Sequence, residues 1–308
     1  MPISSIPRKF GLQARLALGM AMFGSATPIS KIVTEAMPVF VGSGLRVAIG
    51  ALALAPFALR SRNQIQQFSR RDWLLVVLIA LFGMFGFSAL MLYGMKMIPG
   101  VVGAIVMSTT PAVTAAASML FLGDRPTIRK VGAITLAVAG VLILQLGQDR
   151  GGSDSDGDPL LGAALVFGAV CCETAYTLLG KKVSEHIDPV LVAFLAAALS
   201  VPFFLPFALW QWQDFSIPDV PDSAWVAVAW YGAGTLAIGT WLWYTAIART
   251  EGAVAAAFMG VMPASALIFS YILLGETFQW LHLAGFTVVF TGVLLMSWEH
   301  AHMAQQPS

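Results

Sequence analysis

Charge is what this chain has least of. Of 308 residues, 11% are charged and 58% hydrophobic, whereas soluble domains carry about 25% charged and about 45–50% apolar residues. With a mean hydropathy of +0.79, there are too few charges to cover a water-soluble fold of this length, and lipid is the expected solvent. A formal net charge of +1 leaves no electrostatic footprint for nucleic acid, which is not expected as a partner. Cysteine is nearly missing: Cys171 and Cys172 are adjacent and apolar-flanked, and they read as small core residues rather than a redox pair or metal ligands. The four histidines, His186, His282, His300 and His302, fall at the ends of apolar stretches or between them. Walker-type phosphate loops, G-x-G-x-x-G and H-E-x-x-H are all missing, so an ATP-driven pump or a metal-dependent membrane enzyme lacks its parts. A membrane hydrolase needs a nucleophile with a nearby base, and no histidine is expected within a span to serve as one. No metal and no cofactor is expected, and the chain is not read as an enzyme.

What the chain has in plenty is apolar stretches of about 20 residues, the length that crosses a hydrocarbon core of about 30 Å. They lie near 12–33, 38–59, 73–94, 100–121, 128–147, 160–181, 188–211, 224–247, 252–274 and 281–298, predicting an all-α membrane protein with ten transmembrane helices. One connection differs from the rest. Gly147 to Pro159 is rich in Asp, Gly and Ser, cannot be buried in lipid, and reads as a flexible linker. The expected organisation is therefore a first five-helix half over 1–147, an external linker over 148–159 and a second half over 160–308.

Basic residues set the orientation. With the N-terminus inside, Arg8, Lys9, Arg15, Arg60, Arg62, Arg70, Arg71, Arg125, Arg129, Lys130, Lys181, Lys182 and Arg249 all fall on the cytoplasmic side, 13 of the 17 Lys and Arg. Only Lys96 and Arg150 fall outside, where Asp149, Asp154, Asp156, Asp158, Asp214, Asp219 and Asp222 gather. Both termini are expected in the cytoplasm.

The halves repeat. A shift of 152 positions lays Gly100–Leu144 on Gly252–Met296 without a gap, with 13 of 45 positions identical. The matches include Met107/Met259, Pro111/Pro263, Gly123/Gly275 and Gly140/Gly292. Five spans per half is an odd number, so the second copy must lie inverted relative to the first. A 5+5 inverted repeat is an architecture of secondary transporters, because states open to opposite sides become structurally equivalent.

Specific residues carry a further likeness. Phe23-Gly24-Ser25 followed by Lys31, Gly44-Leu45-Arg46, and Ser108-Thr109-Thr110-Pro111 leading to Leu122-Gly123-Asp124-Arg125 resemble the EamA branch of the drug/metabolite transporter superfamily. Met262-Pro263 leading to Leu274-Gly275-Glu276 repeats the pattern. The resemblance departs at Phe23, where that family often has Trp. It implies a drug/metabolite transporter fold in a bacterial inner membrane, exporting small metabolites by alternating access. Within the family the chain looks most like YddG-type amino-acid exporters, whose substrates include aromatic amino acids. A lipid flippase, or a channel-like facilitator for another metabolite or drug class, is the alternative. The partners expected are a small-molecule substrate, amino acids first, and membrane lipids, with the protein itself a monomer.

Ionisable residues inside a membrane are costly and mark function by default. Arg46 and Glu173 lie deep within their spans; Glu173 faces a substrate ammonium or a proton, or else the two form a structural ion pair. Lys31 sits one turn before Glu35 and reads as a local pair or a snorkelling side chain. The remaining candidate cavity residues are Phe85, Ser88, Met91, Met107, Thr109, Tyr176, Thr240, Trp241, Tyr244 and Met259, hydroxyls for a zwitterion's ends and soft apolar groups for varied side chains. Pro28, Pro111 and Pro263 fall inside spans, where each removes a backbone hydrogen bond and favours a hinge. Trp73, Trp210, Trp212, Trp225, Trp280 and Trp298 sit at span ends as interfacial anchors.

Overall fold

The computed structural model describes residues 6–121, 127–146, 158–213, 215–250, 254–255 and 258–303. Among the described residues every regular element is helical. In chain order these are α1 (Ile6–Ala36), α2 (Val39–Ala58), a 3-10 segment (Leu59–Gln67), α3 (Arg70–Leu78), a π-helical segment (Ile79–Gly86), α4 (Phe87–Met97), α5 (Gly100–Met107), α6 (Thr110–Phe121), α7 (Ile128–Leu146), α8 (Pro159–Val183) and α9 (Pro189–Trp212). After a short 3-10 turn come α10 (Asp222–Ala229), a second π segment (Trp230–Gly239), α11 (Thr240–Ile247), α12 (Val261–Leu274) and α13 (Trp280–Met303). Six helical stretches among the described residues are long and apolar enough to cross a membrane, and Val261–Leu274 and Trp280–Leu295 are shorter apolar helices. The acidic linker and the Leu122-to-Arg125 motif lie outside the described residues.

Local chemistry starts and stops these helices. Asp158 and Asp188 each cap the helix that follows, accepting from the amides of Leu160 and Val190 at 2.9 and 2.8 Å, with a proline at the first helical position of α8 and α9. Ser69 and Asp72 form a reciprocal capping box at the start of α3. Gly275 ends α12 at a positive φ of 64°, a conformation that favours glycine.

The outside of the bundle is apolar. Leu52, Leu120, Phe121, Val226 and Ile272 are exposed, a belt suited to hydrocarbon and not to water. Trp210, Trp212, Trp280 and Trp298 are exposed as anchors should be, while Trp225 instead packs against the core. Cys171 corrects the sequence reading, for it faces outward from α8 and only Cys172 is partly covered; both thiols are free.

Small residues let the helices approach. A side chain at Gly24 of α1 would collide with Ser265 and the Met262 carbonyl of α12. Where α7 crosses α13, Gly140 rests on the Gly285 carbonyl and Gly292 on the Ala133 carbonyl, a reciprocal contact between residues equivalent in the sequence repeat. Close backbone approach through small residues is the usual way membrane helices bind each other. Two further features recur at nearly the same offset: the π segments at Ile79–Gly86 and Trp230–Gly239, and interruptions of helix at Ser108-Thr109 and Met259-Gly260, within one turn or so before Pro111 and Pro263. α1 by contrast runs unbroken through Pro28.

The two ends of the bundle are tied differently. At one end Glu276 accepts from the backbone amides of Gly100 and Val101, the latter at 2.9 Å, so it caps α5 from across the bundle. Lys31 bonds the Met95 carbonyl at 2.9 Å and Thr34 the Leu92 carbonyl at 3.1 Å, stitching α1 to α4. At the other end Ser61 donates to Asp188 at 2.6 Å, Asp188 N donates to Gln64 at 2.7 Å, and His186 stands 3.3 Å from Asp72.

Candidate functional site

Arg46 points from α2 into the middle of the bundle and is buried. Its Nη1 donates to Ser88 Oγ of α4 at 2.6 Å. The guanidinium stacks over the Tyr231 ring of the second π segment, 4.2 Å from its centroid, and lies 5.4 Å from that of Phe87. Aromatic faces and one hydroxyl thus cradle a cation in low dielectric. Arg46 Nε, Tyr231 Oη and Ser43 Oγ are buried polar atoms without a hydrogen-bond partner among the described residues.

Glu173 lies on α8, two turns before Lys181, and Thr110 of α6 faces its Oε2 at 3.0 Å. Glu173 is only partly covered and keeps accessible surface beside that hydroxyl. Tyr176 of α8 and Tyr244 of α11 are likewise only partly covered, and their phenols are near enough to act on each other electrostatically. Gly83 of the first π segment makes room for the Tyr176 ring. Below Thr110, Thr114 and Thr174 share a hydrogen bond at 3.2 Å.

The expected alternative of a direct Arg46–Glu173 ion pair is not formed: no nitrogen–oxygen contact within 4.0 Å joins them. They are near enough to act on each other electrostatically. A partly covered carboxylate and a buried guanidinium therefore share one region, each held by a hydroxyl and not by the other.

Other expected residues divide. Ser88 joins Arg46, and Thr240 is buried in α11. Thr109 turns back to the Val106 carbonyl at 2.7 Å. Met91 and Met107 are packed in an apolar cluster with Val102 and Val106. Phe85 packs among Phe40 of α2 and Phe203, Phe204 and Phe207 of α9. Trp241 sits beside Phe57 and Arg15 at the end opposite Glu276. Met259 is exposed at its helix break. Lys31 pairs with Glu35 at 3.4 Å, as the spacing predicts. His282 is at a span end as expected, but it is buried, 3.3 Å from Tyr271 Oη. Tyr231 was not singled out in the sequence; Thr110 was, within the Ser108-Thr109-Thr110-Pro111 run ahead of an in-helix proline.

Packing density differs along the bundle. α5 is wholly buried, while most of α6 beyond Pro111 is partly or fully accessible. A cavity of about 390 Å³ opens at the Glu276 end between Thr34, Glu35, Lys96, Gln211 and Asp219, apart from Glu173.

The chain belongs to the EamA-like transporter family, whose model matches residues 14–146 and again 160–298. It is an integral membrane protein and a transporter. It is 31% identical to the uncharacterized transporter YetK of Bacillus subtilis over 94% of this chain and 88% of that protein. It is 23% identical to a probable terminal-alkyne amino-acid exporter of Streptantibioticus cattleyicolor, covering 92% of each. Likeness to the threonine/homoserine exporter RhtA of Salmonella typhimurium reaches 26% over 85% of this chain and 83% of that protein.

Proposed function

We propose that this transporter exports neutral amino acids, aromatic ones among them, by alternating access. Ten spans form two inverted five-helix halves, 1–147 and 160–308, with both termini in the cytoplasm. The duplicate family match, the paired π segments, the paired breaks before Pro111 and Pro263 and the reciprocal Gly140/Gly292 contact support the inverted repeat. On this orientation the Glu276 end is external and held shut, and the site opens toward the cytoplasm along α6.

The observation that carries the substrate reading is Glu173, a carboxylate deep in its span that keeps accessible surface and, among the described residues, has no cation within 4.0 Å. Glu173 receives the substrate's ammonium. Arg46, a buried cation with no acid within 4.0 Å among the described residues, attracts its carboxylate, and Tyr176 and Tyr244 border the side chain. Two relatives are named for amino acids, which agrees with a zwitterion. A flippase needs its site open sideways to lipid, and the burial of Arg46, Ser88 and Tyr231 weighs against that.

Counterflow in proteoliposomes with labelled amino acids, nucleosides and lipids tests the reading. Amino acids alone should accumulate; flow of lipid alone would overturn it. Topology is tested in a variant lacking Cys171 and Cys172, where a cysteine at Ser155 should label from outside and one at Ser69 should not. The reverse pattern would overturn the orientation.

A further inference from the structure

The geometry points to Thr110 as the residue that links the charge on Glu173 to the break in the α5–α6 rod. In an α-helix the Met107 carbonyl accepts from the amide four residues on. That residue is Pro111, which has no amide hydrogen. Thr110 Oγ1 lies 2.7 Å from the Met107 carbonyl and 3.0 Å from Glu173 Oε2. A hydroxyl has one proton to give.

Two arrangements follow. When Glu173 is ionised it can only accept, so it takes the Thr110 proton and the Met107 carbonyl loses that donor. When Glu173 is protonated its own O–H donates to Thr110 Oγ1, and Thr110 gives its proton to the Met107 carbonyl. The stand-in for the missing proline amide is thus in place only when Glu173 is neutralised. A substrate ammonium acts in the same sense, because it supplies Glu173 with donors and releases Thr110. Proton and substrate then compete for one carboxylate and set the same helix break, which is the requirement for exchanging one for the other. Thr110 is a positioning residue in this scheme, acting through Glu173.

The second half lacks the device: Met262 occupies the position equivalent to Thr110. The charged and titratable groups in reach of Glu173 are Arg46 from α2, Tyr176 and the adjacent Cys172 on its own helix, and Tyr231 from the second π segment, while Tyr244 of α11 acts on Tyr176. α6 brings no ionisable side chain, and those of α3 and α4, Arg70, Arg71, Asp72, Tyr93 and Lys96, sit toward the helix ends.

The inference rests on the transport reading for its substrate half, and a substrate-free measurement tests the rest. Spin labels at Leu120 of α6 and Lys181 of α8, both exposed, report the swing of α6 in liposomes as pH is varied. Wild type should shift its distance populations with pH, and Thr110→Ser should keep that shift. Thr110→Val should lose it, and Glu173→Gln should stay at the acid distribution. Should Thr110→Val not fold, Thr110→Ala makes the same comparison. A wild-type shift retained after removal of the hydroxyl, or no shift in wild type, overturns the inference. A pH-dependent shift that needs the Thr110 hydroxyl, in a protein that moves no amino acid, would leave the inference standing and sink the transport reading.

Discussion

Replacing Arg46 by Met separates a cation kept for substrate from one kept for structure. Met fills a similar volume without charge. The change removes a hydrogen bond from a charged donor to Ser88 Oγ, about 1.5–3 kcal/mol, and a desolvated cation–π contact with Tyr231, about 2 kcal/mol. Against this, burying an ion costs several kcal/mol, and replacing buried ionic groups with apolar ones is often neutral or stabilising by about 1–4 kcal/mol. Among the described residues no carboxylate lies within 4.0 Å of Arg46, so its removal breaks no direct ion pair. The terms nearly cancel, and stability should change by less than about 1.5 kcal/mol. Counterflow of amino acids should fall sharply in the same variant. Denaturation in detergent and counterflow in proteoliposomes, measured side by side, give both numbers. A destabilisation of about 3–5 kcal/mol, as expected for one member of a buried ion pair, with counterflow per folded molecule intact, would refute the reasoning.

Glu173→Gln should keep the melting temperature and lose transport; lost stability with normal specific activity would make Glu173 structural. Pro111→Ala and Pro263→Ala each restore a backbone donor and should straighten one rod, slowing exchange and biasing the protein toward opposite facings, as spin labels across the two ends would report; unchanged distances and uptake in both would reduce the prolines to packing features. Burial pushes the Glu276 carboxyl above its ordinary range, with the Val101 and Gly100 amides pulling it partway back. A raised folded-state value makes this group's contribution greatest at low pH and lost as pH rises through that value. Wild type should therefore lose melting temperature relative to Glu276→Gln as pH rises from about 4.3, and a flat or growing difference would contradict this. Ser69→Ala should cost about 1 kcal/mol by removing the capping box at α3, and an unchanged denaturation midpoint would contradict it.

The helices were legible in the sequence because their length is imposed from outside, by the thickness of hydrocarbon. The helix breaks before Pro111 and Pro263 were legible because proline removes a donor, although Pro28, Pro202 and Pro206 stand in unbroken helices, and Lys31–Glu35 because four residues is about one turn. Which face of each helix looks inward was not. A helix apolar all round carries no hydrophobic stripe to orient it, so Phe85 and Met91 read as cavity residues as readily as Tyr176 did. Contacts between distant segments were equally hidden: nothing local to Glu276 says that it caps Gly100, or that Arg46 meets Ser88 and Tyr231 instead of Glu173. The π segments left no signal either, since the same apolar residues populate α- and π-helical turns.

The central claim is that Glu173 receives an amino acid in a site open to one side at a time. Its most direct test is exchange in proteoliposomes, comparing uptake of labelled threonine and phenylalanine into vesicles loaded with unlabelled amino acid and into empty ones. Internal amino acid should accelerate uptake by the wild type and fail to do so in Glu173→Gln. Uptake that ignores the internal load, or a full response in Glu173→Gln, would contradict the account.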